Sequence, residues 1–212
     1  MQKQSNSKKN ILNRIAGVST RTSAIGSLER STNQIYKAIE PDLLTCFVNE
    51  LAAVNGKVVI CETNDEMYAK LADLISTVAT TQVHCQEPAI LEALSNMSID
   101  LGHATAEYDM MQMGITTCEC LVARTGSVLV TSRLAAGRKL NVFPPIHVVI
   151  ANQSQLVGFL DDAIAKVSEK YDDNIPSTIS FITGPSRTAD IEKTLVLGAH
   201  GPKELIVFFS KE

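Results

Sequence analysis

Short apolar runs typical of buried β-strands constrain the fold of this chain more than any other feature. The clearest is 146–151 (IHVVIA), and comparable runs lie at 57–61 (KVVIC) and 205–209 (LIVFF). Nearly continuous apolar character is typical of strands that are covered on both faces. Because amphipathic helical segments separate these runs, the pattern predicts a layered α/β domain with a mainly parallel sheet.

The helical segments carry recognisable end signals. A helix is predicted over 65–77, after Asn64 as a capping residue, because residues 67–78 place apolar side chains at i, i+4, i+7, i+8 and i+11. Pro88 is well placed as the first residue of a helix with the sequence PAILEALSNM. The middle differs: 114–123 and 128–131 are strand-like runs separated by a turn, which predicts antiparallel pairing and hence a mixed sheet.

Charge divides the chain into an arm and a body. Its 212 residues fit one domain, which we place at 31–212, preceded by a basic arm at 1–30. The arm holds six basic residues against one acidic residue, a net charge of +5, which leaves −9 for the body. Such an acidic body is a poor candidate for binding nucleic acid. Within the arm, Ile11, Leu12 and Ile15 share one face of a predicted short helix that ends at Gly17.

Two further features of the sequence bear on the location of the protein in the cell and on whether it binds a metal ion. No segment approaches the ~20 apolar residues that a membrane span needs, and the first ten residues lack a signal-peptide core, so we expect a cytoplasmic protein without membrane contact. The five cysteines follow no zinc or disulfide spacing, so we expect reduced thiols and no metal site. Cys118 and Cys120 are predicted on one face of a strand.

The strongest candidate for a binding site follows the strand-like run 178–183. A strand that leads into a Gly-Pro-Ser-Arg-Thr turn brings backbone N–H groups and a guanidinium to the carboxyl edge of a sheet, where ligands bind. A rigid turn with surface charges is the alternative interpretation. The ligand-binding candidates here are Gly184, Ser186, Arg187 and Thr188.

A second turn and a third loop add weaker candidates. The turn between the middle strands exposes backbone N–H groups and hydroxyls that suit an anion, although ordinary hairpin chemistry explains it equally well. Its candidates are Arg124, Thr125, Gly126 and Ser127. As weak catalytic candidates, Asp190 and Glu192 offer a general base and His200 a proton shuttle. His147, inside an apolar strand, is predicted to be a hydrogen-bonded core or rim histidine.

Taken together, four segments resemble the lactate-utilisation protein C family, the small LUD-domain proteins. The segments that show this resemblance are TGPSRTADIEKTLVLGAHGPKEL, GITTCECLVARTGSVLV, PPIHVVI and the basic start KKNILNRI. The resemblance implies a three-layer α/β/α fold like that of the glucosamine-phosphate isomerase, ribose-phosphate isomerase and CoA-transferase group, with a ligand cleft at strand ends. It also implies a role in oxidising L-lactate to pyruvate with iron–sulfur partner proteins, in which this chain carries no cofactor of its own.

The chain departs from the family at the central turn. Relatives there usually read Ala-Glu-Thr-Gly-Thr, whereas this sequence has Arg124 in place of the glutamate. A covalent or general-base role for that glutamate therefore does not carry over, and the substitution favours an anionic ligand held between Arg124 and Arg187. A stand-alone transferase or isomerase acting on an anionic small molecule is the alternative function. Whether the chain forms a homodimer is left open.

Overall fold

A computed structural model describes residues 7–17, 38–101, 110–189, 195–198 and 200–212 of the chain. The chain divides into two units, Met1–Ala38 and Ile39–Glu212. The first contains the helix α1 (Ser7–Gly17), on which Ile11 and Leu12 are exposed. The arm and body limits of 1–30 and 31–212 stay a prediction.

The larger unit contains eleven described strands. In chain order they are β1 (Lys57–Cys61), β2 (Val83–Cys85), β3 (Met113–Thr117), β4 (Cys120–Val122), β5 (Ser127–Thr131), β6 (Ile146–Asn152), β7 (Leu156–Val157), β8 (Ile179–Ile182), β9 (Arg187–Ala189), β10 (Leu195–Leu197) and β11 (Glu204–Ser210). Four described helices accompany them: α2 (Leu43–Ala53), α3 (Asn64–Ile75), α4 (Pro88–Asn96) and α5 (Leu160–Tyr171).

The strands form a parallel central sheet and a smaller second sheet. The central order is β1-β11-β6-β3-β2, and every neighbouring pair is parallel. The second sheet has the order β7-β4-β5-β8, with β5 antiparallel to both of its neighbours. Strands β9 and β10 form a separate antiparallel hairpin. The α/β class with a mainly parallel sheet is therefore as predicted, and the antiparallel pairing of the middle segment belongs to a sheet of its own.

Helix ends follow local hydrogen-bonding chemistry. The Asp42 carboxylate accepts a hydrogen bond from the Thr45 N–H and caps α2. Helix α3 is capped by Thr63, whose hydroxyl accepts from the Glu66 N–H, and not by Asn64 as the sequence predicts. Both residue types are good caps, and the chain uses the first of the two neighbours. Pro88 stands at the start of α4, as predicted.

Three apolar clusters hold the layers together. One face of the central sheet packs on α3 and α4, and its other face packs on α2 and the second sheet. The outer face of the second sheet is covered by α5 through Ala163 and Val167. The cluster that α2 forms with the two sheets therefore includes residues of both sheets. Its aromatic side chains are Phe47 of α2 and Phe209 of β11.

The strand-like run at 114–123 is interrupted in the structure. Residues 118–119 leave the strand conformation, so β3 ends in the central sheet and β4 begins in the second sheet. The predicted placement of Cys118 and Cys120 on one strand face is therefore wrong: Cys118 packs between the sheets, whereas Cys120 packs under α5. All five cysteines are free thiols. Among the described helices, none is long and apolar enough to cross a membrane.

Candidate functional site

Two turns that the sequence analysis singled out are joined by a chain of hydroxyl groups. The Ser127 hydroxyl donates to Thr125 Oγ1 at 2.8 Å and shares a 2.7 Å hydrogen bond with the hydroxyl of Thr183. Ser127 opens β5, and Thr183 follows β8, its antiparallel neighbour. The sheet pairing thus brings the turn at 124–127 next to the turn at 184–188.

The first turn is fixed against the end of α2. After β4 the chain makes a 3₁₀ turn at Ala123–Thr125, and Gly126 takes a left-handed conformation with φ of +57°. A Cβ at this position would lie 2.3 Å from the backbone nitrogen of Leu51, so only glycine fits. The half-buried Arg124 donates its backbone N–H to the Gly158 carbonyl at 3.0 Å.

The second turn packs on the same helix end. Gly184 has φ of +81°, and a Cβ there would lie 2.5 Å from the Val54 carbonyl oxygen. Ser186 donates its backbone N–H to the Pro202 carbonyl at 2.8 Å and accepts from the Gly198 N–H at 2.9 Å. These bonds connect the turn to the loop that carries His200.

This region lies at the opposite edge of the central sheet from the one where α/β proteins usually bind ligands. Val54 precedes β1, and Pro202 lies two residues before β11, so their contacts with Gly184 and Ser186 are at the amino ends of the parallel strands. The turn still follows the carboxyl end of its own strand, β8. The prediction that this turn lies at the carboxyl edge of a sheet therefore holds for the second sheet and not for the central sheet.

The remaining predicted residues are placed as follows. Arg187 begins β9, is exposed, and pairs in register with Leu197 of β10. The main chain of Thr188 belongs to the same strand. Asp190 and Glu192 lie outside the described residues. The Arg124 guanidinium belongs to the first turn and that of Arg187 to the second, so their joint grip on one anion stays a prediction.

His200 is exposed and lines a cavity of about 290 Å³. The other described lining residues are Val142, Phe143, Pro145, Gly198, Gly201 and Lys203. Gly201 joins this cavity to the second turn, because a Cβ on it would lie 3.0 Å from the Ser186 Cβ. Together, the turns and this loop offer hydroxyl groups, imidazole and cationic side chains, a set that suits an anionic ligand.

A buried carboxylate at the other edge was missed by the sequence analysis. The Glu119 side chain is 3% exposed and borders a cavity of about 440 Å³. It accepts from Thr131 and Tyr171 on Oε1, at 2.7 and 2.6 Å, and from Lys170 on Oε2 at 2.7 Å. Burial opposes its charged form, but these three donors outweigh burial and lower its pKa. The sequence did contain a signal for this site, namely an acidic residue inside an otherwise apolar, strand-like run.

Two histidines are buried on the central sheet. His147 is fully buried and its Nε2 lies 2.9 Å from the Thr116 hydroxyl, which confirms a hydrogen-bonded core histidine. Burial lowers its pKa to about 4. His84 is 6% exposed, and burial lowers its pKa as well. Within the described residues no group of three or more His, Cys, Asp and Glu side chains is arranged to hold a metal ion.

A family profile and several known proteins are similar to this chain. The LUD domain profile matches residues 44–209. The chain is 34% identical over 123 residues to lactate utilization protein C of Geobacillus thermodenitrificans, covering 57% of this chain and 51% of that protein. It is 27% identical over 218 residues to the protein of the same name from Bacillus subtilis, covering 90% of each. The match thus spans about half of the first relative's length and most of the second's.

A solved structure shares the fold. The crystal structure of a DUF162 family protein from Deinococcus radiodurans superposes with a TM-score of 0.59 at 17% identity, and the match covers 79% of this chain and 96% of that one. At this identity the likeness supports the α/β architecture alone.

Proposed function

The chain belongs to the LUD domain family, and from this membership we infer that it takes part in lactate utilisation. The single observation that carries the inference is the match over residues 44–209, supported by relatives named lactate utilization protein C. In this role the chain is an accessory protein of L-lactate oxidation to pyruvate. It acts in the cytoplasm together with iron–sulfur partner proteins.

The proposal includes a small anionic ligand at the joined turns. Support comes from the hydrogen bonds that connect Ser127 with Thr183 and Ser186 with Pro202, because they give the two turns a fixed geometry before any ligand binds. Arg124, Arg187 and Lys203 supply positive charge in this part of an otherwise acidic body. Fixed backbone and nearby cations are the components of an anion site.

Growth on L-lactate tests the role. A strain that lacks this protein is expected to grow slowly on L-lactate and normally on glucose, and the wild-type gene is expected to restore growth. The variant Arg187→Gln is expected to restore growth less well than Arg133→Gln, in which Arg133 is also exposed and follows β5 of the second sheet. Normal growth of the deletion strain on L-lactate would refute the role.

Two measurements test the finer parts. Calorimetric titration with L-lactate, pyruvate and sugar phosphates is expected to detect binding of at least one, and absence of binding at millimolar concentration would remove the ligand from the proposal. Co-purification is expected to recover the iron–sulfur proteins with the full chain. Removal of residues 1–30 is expected to weaken that recovery, because the six basic residues of the arm would attract an acidic partner.

A further inference from the structure

We propose that the cavity around His200 and Lys203 is a binding site for small carboxylates that carry an apolar group. The proposal rests on the proposed function in one respect, namely that the ligand is a small carboxylate. The volume of the cavity, about 290 Å³, corresponds to roughly ten water molecules, which is enough for a ligand of a few carbon atoms. The carboxylate is held by Lys203 and His200, and the apolar group contacts Phe143 and Val142.

Lys203 is positioned by its surroundings. Its backbone N–H donates to the Pro145 carbonyl at 2.7 Å. Its aliphatic stem lies against Gly198, where a Cβ would be only 2.2 Å from the Lys203 Cγ. Gly198 also has φ of +73°, which favours glycine on backbone grounds. The glycine thus allows the lysine stem to lie across the backbone, and Lys203 is one of the residues that line the cavity.

The charge of the cavity selects an anion. None of the seven described residues that line it is acidic, and both titratable members, His200 and Lys203, are nitrogen bases. Glu204 follows Lys203 in the chain, but its carboxylate is paired with Lys57 at 2.6 Å. A carboxylate entering the cavity therefore meets positive charge without a competing acid among the described lining residues.

The apolar residues that line the cavity select an apolar group. Phe143 is 55% exposed and Val142 is 42% exposed, and with Pro145 they form the apolar side of the cavity. A free inorganic anion would leave these apolar side chains exposed to water, whereas the alkyl chain of a bound carboxylate would cover them. Each methylene buried there is expected to strengthen binding by up to about fourfold.

Titration of the full chain with acetate, butyrate, hexanoate and inorganic phosphate tests the proposal, by calorimetry and ligand-observed NMR. Hexanoate is expected to bind at least ten times more tightly than acetate, with butyrate between them and phosphate weaker than hexanoate. Equal affinities along the series, or tighter binding of phosphate, would overturn the assignment.

Matched variants locate the site. Lys203→Gln is expected to weaken hexanoate binding roughly tenfold or more, because a charged hydrogen bond is lost. Lys211→Gln, which removes a lysine that follows the other end of β11 and pairs with Glu62 at 2.5 Å, is expected to leave binding unchanged. Phe143→Ala is expected to remove the preference for hexanoate over acetate, and Phe181→Ala, a partly exposed aromatic on β8, to retain it. Equal effects within either pair would overturn the proposal.

Growth and binding separate this proposal from the proposed function. Hexanoate binding that depends on Lys203, in a protein whose deletion leaves growth on L-lactate normal, supports the cavity and refutes the role. Impaired growth of the deletion strain, together with no carboxylate binding, supports the role and refutes the cavity. Circular dichroism of each variant confirms that the fold is intact before the titrations are compared.

Discussion

His147 and Glu119 show how burial acts on two titratable groups with different neighbours. His147 has one hydroxyl neighbour at Nε2, and its Nδ1 has no hydrogen-bond partner in the described part of the chain. Burial therefore favours its neutral form. Glu119 is also buried but has three donors, so its charged form is retained. At the residue scale, the partners decide the protonation state as much as the burial does.

Acid is expected to destabilise the body through His147. The histidine is neutral in the folded state down to a pKa of about 4, whereas in the unfolded chain it binds a proton below its ordinary value of 6.5. The unfolded state thus holds more protons between these values, and the free energy of unfolding falls as pH drops, by up to about 3 kcal/mol. Urea unfolding across pH 7 to 4 measures the slope. His147→Gln is expected to have a shallower slope, whereas His200→Gln, at an exposed site, is expected to keep the wild-type slope; identical slopes in all three would contradict this account.

Glu119 is expected to act in the same direction as His147, but in more acidic solution, because its ordinary pKa is 4.5. Because its pKa is lowered in the folded state, its stabilising contribution is complete above its unfolded pKa and is lost as pH falls through the folded pKa. At pH 7, Glu119→Gln is expected to cost about 2 kcal/mol, since the charged hydrogen bonds to Lys170 and Tyr171 are weakened. Urea unfolding beside Glu169→Gln, an exposed acid bordering the same cavity, checks the value. A similar small loss in both variants would show that the buried contacts contribute little.

At the element scale, the apolar runs of the sequence predicted most strands well. Pairing between segments that are distant in the sequence decided the bounds of the others. Strand β1 has the predicted bounds, although it is an edge strand and Ile60 on it is partly exposed. Strands β6 and β11 extend one or two residues beyond their predicted bounds, and both are buried over most of their length, as continuous apolar runs predict. The run at 114–123 divides into β3 and β4 because its two halves join different sheets. The two-residue β7 was not predicted, because so short a strand exists only through its pairing with β4.

The site's geometry was predictable only in part. Turn residues such as Gly126 and Gly184 are visible in the sequence, because glycine at the end of a strand signals a turn. Their close approach to α2 is not visible, since α2 lies more than seventy residues before Gly126 in the chain. The cavity wall from Val142 to Pro145 is likewise brought to His200 by the parallel pairing of β6 with β11.

The contact between the first turn and α2 predicts a large effect of one methyl group. Gly126→Ala places a Cβ 2.3 Å from the Leu51 backbone nitrogen, in a left-handed conformation, and is expected to cost about 3 kcal/mol or more. Gly137 is a matched control, because its φ is +61° and a Cβ there meets nothing within 4 Å. Gly137→Ala is therefore expected to cost only about 1 kcal/mol of backbone strain. Urea midpoints measure both, and equal costs would show that the contact with α2 yields easily.

At the scale of the whole molecule, the net charge of −4 conceals two opposite parts. The first 30 residues carry +5 and the rest −9, yet Lys203, Arg187 and Arg124 all belong to the acidic part. Local charge at the joined turns is therefore of opposite sign to the body that carries it. This arrangement favours an anion at one edge while the remaining surface repels anions, and it agrees with a small ligand better than with nucleic acid.

The two sheets of the body are expected to unfold as one cooperative unit. Their facing sides share a single apolar cluster, in which Phe47 of α2 is fully buried together with residues of both sheets. Phe47→Ala is expected to cost about 3 to 5 kcal/mol, because it leaves a cavity in this shared cluster. Since both sheets border that cavity, the loss is expected to be the same whichever sheet is observed.

Hydrogen exchange under increasing urea measures the two sheets separately, with amides of β11 reporting on the central sheet and those of β5 on the second. Both are expected to show one common midpoint in the wild type and one common, lower midpoint in Phe47→Ala. Phe181→Ala, on the partly exposed strand β8, is expected to change the midpoints little. A variant in which β5 exchanges at lower urea than β11 would contradict the shared core. In that case the second sheet, and with it the turn at Arg124, would be a separately unfolding part of the domain.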